Sequence, residues 1–267
     1  MATKSFVRVA RMSGITAMFG LVVAGVWLAN LPRLQVGRAA VAGDMSQEEF
    51  GRRVRTYLLE HPEVVAEAIN RLDAKQREDD AAAAKALLKA HAVEVFQDPD
   101  SPVSGNPNGE VTLVEFFDYN CPYCRVVAPL MAQAEAADPK LRIVYKEYPI
   151  LGPASSFAAR AVLAANKQGK YVAFHRALYQ VPGRVDEAKV LEVATSLGLD
   201  VEQMKADMQD AAIDAILEKN EKLAHALNIT GTPGFVVGNV ITAGATTNLE
   251  ALEALIDKGR TSQRSTK

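Results

Sequence analysis

Apolar residues recur every three to four positions from Ser46 to about Phe96, through Phe50, Val54, Tyr57, Leu58, Val64, Val65, Ala68, Ile69 and Leu72, and that spacing predicts helix. Pro62 should break it once. The second half, Ala74 to Ala92, is alanine-rich and charged, a strong intrinsic helix with a thin apolar face. Such a helix either packs against copies of itself or serves as a solvated spacer. The pattern then stops. Asp98-Pro99-Asp100-Ser101-Pro102 through Gly105-Asn106-Pro107-Asn108-Gly109 is a cluster of turn formers and breakers, and a domain boundary is expected there, with a helical segment at 43–97 before it.

From Val111 the period changes. Val111-Thr112-Leu113-Val114-Glu115-Phe116-Phe117 reads as a strand rich in branched and aromatic residues, Pro122 to Ala136 as a helix kinked at Pro129, and Leu141 to Tyr148 as a second, alternating strand. Strand, helix and strand of these lengths make a crossover with parallel strands. The stretch from Ser155 to about Leu227 is almost entirely helical. Two short apolar runs follow, Gly234 to Gly238 and Val240 to Thr242, joined by the hairpin signal Gly238-Asn239. A last helix from Leu249 to Ile256 precedes a polar stretch from Lys258 to Lys267, with residues 261–267 expected to be disordered.

Ahead of all this, Lys4, Arg8 and Arg11 precede an uncharged stretch from Met12 to Pro32, which marks residues 1–42 as an export signal or membrane anchor. Ala40-Val41-Ala42 offers a small-residue cleavage site, but Arg33 and Arg38 separate it from the apolar run, whose length is close to the ~20 residues that span a bilayer. Cleaved or retained, the segment puts the body of the chain in the periplasm or another extracytoplasmic space.

Composition narrows the function. The 267 residues carry 30 basic against 32 acidic side chains, too balanced to steer a polyanion, so nucleic acid is excluded as a partner. The chain has 2 cysteines, and both fall in Cys121-Pro122-Tyr123-Cys124. One pair cannot form the disulfide framework that staples small secreted domains. His61, His91, His175 and His225 lie far from the pair in sequence and lack paired-ligand spacing, so no metal site is expected.

A Cys-x-x-Cys at the start of a helix has a specific chemistry. Residues three apart share a face, which brings the two sulfurs within disulfide range. Pro122 suits the first helical position, where its missing donor costs nothing. Cys121 faces the unpaired amides and the positive end of the helix dipole, which favour its thiolate, whereas Cys124 lies one turn inside. Cys121 is therefore the expected nucleophile and Cys124 the resolving thiol. Exchange of this kind moves electrons between sulfur atoms and needs no cofactor. Read without further context, the motif also fits a metal site or a structural disulfide.

The run from Glu115 to Cys124 resembles the active-site strand and helix of the DsbA-like branch of the thioredoxin superfamily, and Gly231-Thr232-Pro233-Gly234-Phe235 resembles that family's cis-proline loop. The resemblance covers roughly Gly109 to Gly259. It implies an α/β thioredoxin fold, residues 98–260, interrupted by an inserted helical domain at about 155–227 and preceded by the N-terminal helical segment. It also implies that Pro122, Tyr123, Thr232 and Pro233 contact substrate, and that Glu115 is a buried acid beneath the cysteines able to take up a proton during exchange. Read from its strand alone, Glu115 could equally be an exposed carboxylate. His175 is expected to be a helix-packing residue.

Pro122-Tyr123 and Thr232 look more like the isomerase and reductase members, including the suppressor-of-copper-sensitivity type, than like the general oxidant. Such members often carry an N-terminal oligomerising segment, which gives the early helix a purpose. The expected partners are cysteine-containing exported proteins, a membrane redox partner that recycles the pair, and further copies of the chain. The alternatives from other classes are a general disulfide-forming oxidase, a holdase-type chaperone with incidental cysteines, and copper(I) binding by the dithiol.

Overall fold

The computed structural model describes residues 45–244, 246 and 248–264. The expected export segment at 1–42 lies outside them. By contact density the chain divides at Pro62. In the first unit the helix α1 (Gln47–Glu60) is capped by Ser46, whose hydroxyl accepts from the Glu49 amide, and it buries none of its residues. Phe50, Val54 and Tyr57 stay exposed along it.

The second unit opens with α2 (Pro62–Ala90), so the single expected break falls at this proline. Only the end of α2 docks: Leu88, with Val95 of α3 (Ala92–Phe96), packs on one face of the sheet. The sheet has five strands in the order β1 (Val103–Gly105), β3 (Leu141–Glu147), β2 (Val111–Phe117), β4 (Gly234–Val237) and β5 (Val240–Ala243). The β2–β3 pair is parallel and the others are antiparallel. Among the described residues no helix is long and apolar enough to cross a membrane.

Both sheet faces are covered. Val111, Leu113, Phe117, Ile143, Tyr145, Phe235 and Val237 face α4 (Pro122–Ala137), α10 (Leu249–Arg264) and the inserted helices α5 (Pro153–Asn166) to α8 (Val201–Asp207). Val114, Phe116, Val144 and Val236 face Leu88, Val95 and α9 (Ala211–Ala226). The architecture is thus a mixed sheet between helical layers, with a long helical insertion between β3 and β4.

Two expectations give way. The turn-rich stretch from Asp98 to Gly109, expected as a domain boundary, is bound into the sheet: β1 pairs antiparallel with β3, and Asp98 is buried against Lys146 at 2.8 Å. The last helix runs to Arg264 and so includes 261–264, part of the 261–267 stretch expected to be disordered, whose remaining residues lie outside the described ones. Gly259 lets it approach β4, since a Cβ there would lie 2.7 Å from Val237, and Arg260 ties it down through Glu110 and Asp138.

Candidate active site

The site is built where the central strand β2 ends and α4 begins. Cys121 is the N-cap residue of α4, with Pro122 in its first turn. Its sulfur donates to the Thr232 carbonyl at 3.1 Å. The Thr232-Pro233 peptide is cis, and Gly234 behind it packs so tightly on Ile229 that a Cβ would lie 2.4 Å from that side chain. Cys121 is 4% exposed and Cys124 is fully buried, both as free thiols, while Pro122 and Tyr123 are exposed.

The two sulfurs have opposite electrostatics. A hydrogen bond from Cys124, helped by Thr232 and the amides of Tyr123 and Cys124, outweighs burial and brings the Cys121 thiol down to about 5. Burial, then the hydrogen bond to Cys121 and the charge of Glu115, push the Cys124 thiol far up. Beneath them Glu115 is 1% exposed, and its Oε1 has no hydrogen-bond partner. Burial, then the Cys121 charge, raise its carboxyl to about 8. The structure therefore brings Cys121, Cys124, Glu115, Thr232 and Pro233 together.

Polar residues beside the cysteines fasten the surrounding loops. The Asp118 carboxylate accepts from the Asn120 amide at 2.7 Å and from the Leu151 amide at 2.9 Å, which fixes the loop after β3. Asn120 pairs with both backbone groups of Val185, accepting from its N–H at 2.8 Å and donating to its carbonyl at 3.1 Å. Arg125 donates to the carbonyls of Tyr179, Val181 and Gly183. Sequence reasoning missed these three as site residues. The available signal was the polar Asp118 and Asn120 at a strand end immediately before the motif, where orphan amides need acceptors.

A second buried acid also went unread. Glu147 accepts from the hydroxyls of Tyr119 at 3.0 Å and Tyr171 at 2.7 Å, and burial holds its carboxyl well above the usual range. His175 belongs to this cluster: it lies against Phe117, Tyr145 and Tyr179, and burial brings its imidazole down to about 3. A neutral ring among aromatic side chains fits the packing role.

Comparison with known proteins agrees with this geometry. Residues 112–257 match the DSBA-like thioredoxin domain, and residues 47–78 match the copper resistance protein ScsC N-terminal domain. A thioredoxin-like oxidoreductase from Silicibacter pomeroyi DSS-3 is 46% identical with a TM-score of 0.61, covering 63% of this chain and 97% of that one. Salmonella enterica Typhimurium BcfH is 30% identical with a TM-score of 0.64, covering 80% of this chain and 95% of that one. Among curated relatives, the Na(+)/H(+) antiporter NhaA 1 of Salinispora arenicola is 30% identical over 162 residues, and the chain spans only 25% of its length. Since the thioredoxin-domain match covers more than half of the 267 residues and the structure has the corresponding fold, the chain belongs to the DSBA-like thioredoxin domain family.

Proposed function

We propose that this chain is a thiol:disulfide oxidoreductase acting on exported proteins, with Cys121 as nucleophile and Cys124 as resolving thiol. The observation that carries the reading is the opposition between the two sulfurs, the Cys121 thiol at the start of α4 brought down to about 5 by the hydrogen bond from Cys124 and the Cys124 thiol pushed far up by burial. The Cys121 thiolate attacks a substrate disulfide, forming a mixed disulfide and releasing one substrate thiolate. Cys124 then gives its proton to Glu115 and attacks the Cys121 sulfur, which releases the second substrate thiolate and leaves the enzyme oxidised. In isomerisation a substrate thiolate resolves the mixed disulfide instead, and the enzyme ends reduced.

Glu115 suits this sequence because its carboxyl is raised partly by the Cys121 charge. Once the Cys121 sulfur is in the mixed disulfide that charge is gone, the carboxyl becomes more acidic, and more of it is ionised when Cys124 needs a base. Thr232 and Pro233, beside the Cys121 sulfur, and the exposed Pro122 and Tyr123 are the surfaces offered to substrate.

Isomerase or reductase is the preferred direction. The N-terminal match to the ScsC-type domain and the exposed apolar residues of α1 favour several active sites on one assembly of copies, able to hold a misfolded chain. A membrane protein that recycles the pair completes the cycle, in the periplasm or an equivalent space. The low value at Cys121 favours oxidase as a second reading, because a stabilised thiolate makes the disulfide more oxidising. Purified protein should reshuffle a scrambled disulfide-bonded substrate, and Cys121→Ser should abolish this; full activity in that variant would refute the proposal. A mostly reduced pair in cells supports isomerase or reductase, and a mostly oxidised pair supports oxidase.

A further inference from the structure

Beside Cys121 runs an open groove of about 570 Å³ whose lining includes Pro122, Val126 and Leu151 on one side and Gly183 and Arg184 of the insertion loop on the other. Val126 and Leu151 are 49% and 44% exposed, an apolar floor open to solvent. The loop wall is tied to the cysteine helix, because Asn120 and Arg125, on either side of the cysteine motif, hold it by the backbone bonds described above. Among the described residues no aspartate or glutamate lines this groove, and the charged residues that do are Arg125 and Arg184.

The cations on this wall differ in what they are free to do. Arg125 is committed to three carbonyls, and the Lys189 amine to the carbonyls of Pro182 and Arg184 at 2.9 and 2.8 Å. The Asp186 carboxylate caps the following helix, α7 (Glu187–Ser196), by accepting from the Lys189 amide. Arg184 is exposed, and among the described residues no carboxylate is paired with it. A guanidinium in this state, at the rim of an apolar groove without acidic neighbours in its lining, is complementary to a carboxylate that it can bind with two parallel hydrogen bonds.

We propose that Arg184 is a specificity-determining residue that selects substrate segments with an acidic side chain next to the reacting cysteine. The occupant of the groove is an extended peptide of the substrate, joined through its own cysteine to the Cys121 sulfur. Its aspartate or glutamate faces Arg184, and a neighbouring apolar side chain lies on Val126 and Leu151. The inference rests on the oxidoreductase reading, since the covalent link at Cys121 sets the peptide beside the groove. One exposed charge pair gives a modest, salt-screened preference, about two- to five-fold in rate.

The test uses the full chain in its oxidised form and three peptides that differ only in having Asp, Asn or Lys beside a single cysteine. In each reaction the peptide thiolate attacks the Cys121–Cys124 disulfide, forms the mixed disulfide with Cys121 and expels Cys124 as thiolate. Each rate is divided by that peptide's rate with a small-molecule disulfide, which removes the effect of the neighbouring charge on the peptide thiol. The wild type should favour Asp over Lys by about two- to five-fold at low salt, and less at high salt. Arg184→Lys should keep the order, Arg184→Ala should level it and Arg184→Glu should invert it. An unchanged Asp preference in the Arg184→Glu variant, or none in the wild type, would overturn the proposal. Absence of Cys121-dependent exchange with the Asn peptide would instead overturn the oxidoreductase reading beneath it.

Discussion

A thiolate and a carboxyl buried in the same pocket cannot both be charged without cost, and the site divides the charge between them: Glu115 is raised to about 8, chiefly by burial, while Cys121 is lowered to about 5, chiefly by the hydrogen bond from Cys124. For Glu115 this fixes a pH dependence of stability. Below its ordinary value of 4.5 both the folded and the unfolded chain hold the proton. Between 4.5 and about 8 the unfolded chain releases it and the folded chain does not, so stability falls as pH rises and the loss is complete above about 8. The slope is at most roughly 1.4 kcal/mol per pH unit. Glu115→Gln removes the group, so denaturant unfolding from about pH 5 to about pH 9 should show the variant gaining stability relative to wild type. Parallel curves would contradict a buried, raised carboxyl.

At the scale of elements, strand β3 carries a lysine into the interior. Lys146 is fully buried, donates to Asp98 and to the Glu94 carbonyl at 2.8 Å each, and shares Asp98 with Lys219. Together these bonds staple α3 and the strand β1 segment to the sheet. Removing one partner strands a buried charge, so Asp98→Ala should cost about 3–5 kcal/mol in denaturant unfolding. The pair of lysines holds the Asp98 carboxyl down at about 2 despite burial, so this stabilisation is present above the ordinary value of 3.8 and is lost as pH falls toward about 2. A loss below about 1 kcal/mol would show that the staple does not hold these elements.

These same residues mark where sequence stopped being informative. Branched and aromatic residues located β2 and alternation located β3, but alternation assumes one wet face, and helices cover both faces of this sheet. Lys146 and Glu147 therefore gave no local sign of burial, while the strand left Glu115 open between a buried acid and an exposed carboxylate, and resemblance favoured the buried reading. Strand β1 has three residues among prolines and glycines, and its place is set by hydrogen bonds to β3, which no local pattern records. The cysteine motif and the Thr232-Pro233 loop were legible because their chemistry is local. The clamps from Asn120 and Arg125 were not, since their partners lie 54 to 65 residues away.

At the scale of the whole molecule, α1 poses the largest question of assembly. A helix of 14 residues that buries none of them is marginal alone in water, and Phe50 at 59% and Tyr57 at 54% exposure await cover. A second copy of the chain is the occupant that the proposed function calls for. Light scattering should give a mass that is a multiple of the 28.8 kDa chain, less any cleaved leader, and a Phe50→Asp, Tyr57→Asp double variant should fall to one chain. Disulfide reshuffling should drop in that variant while reduction of a small disulfide persists. A monomeric wild type would remove the assembly from the account and leave the active site as described.

The most direct measurement is a pH titration of thiolate ultraviolet absorbance in the reduced protein. One thiolate should appear with a midpoint near 5 and be lost in Cys121→Ser, with no second thiolate from Cys124 across the range in which the protein stays folded. A midpoint near 9, the ordinary value for a thiol, would contradict the division of roles between the two sulfurs.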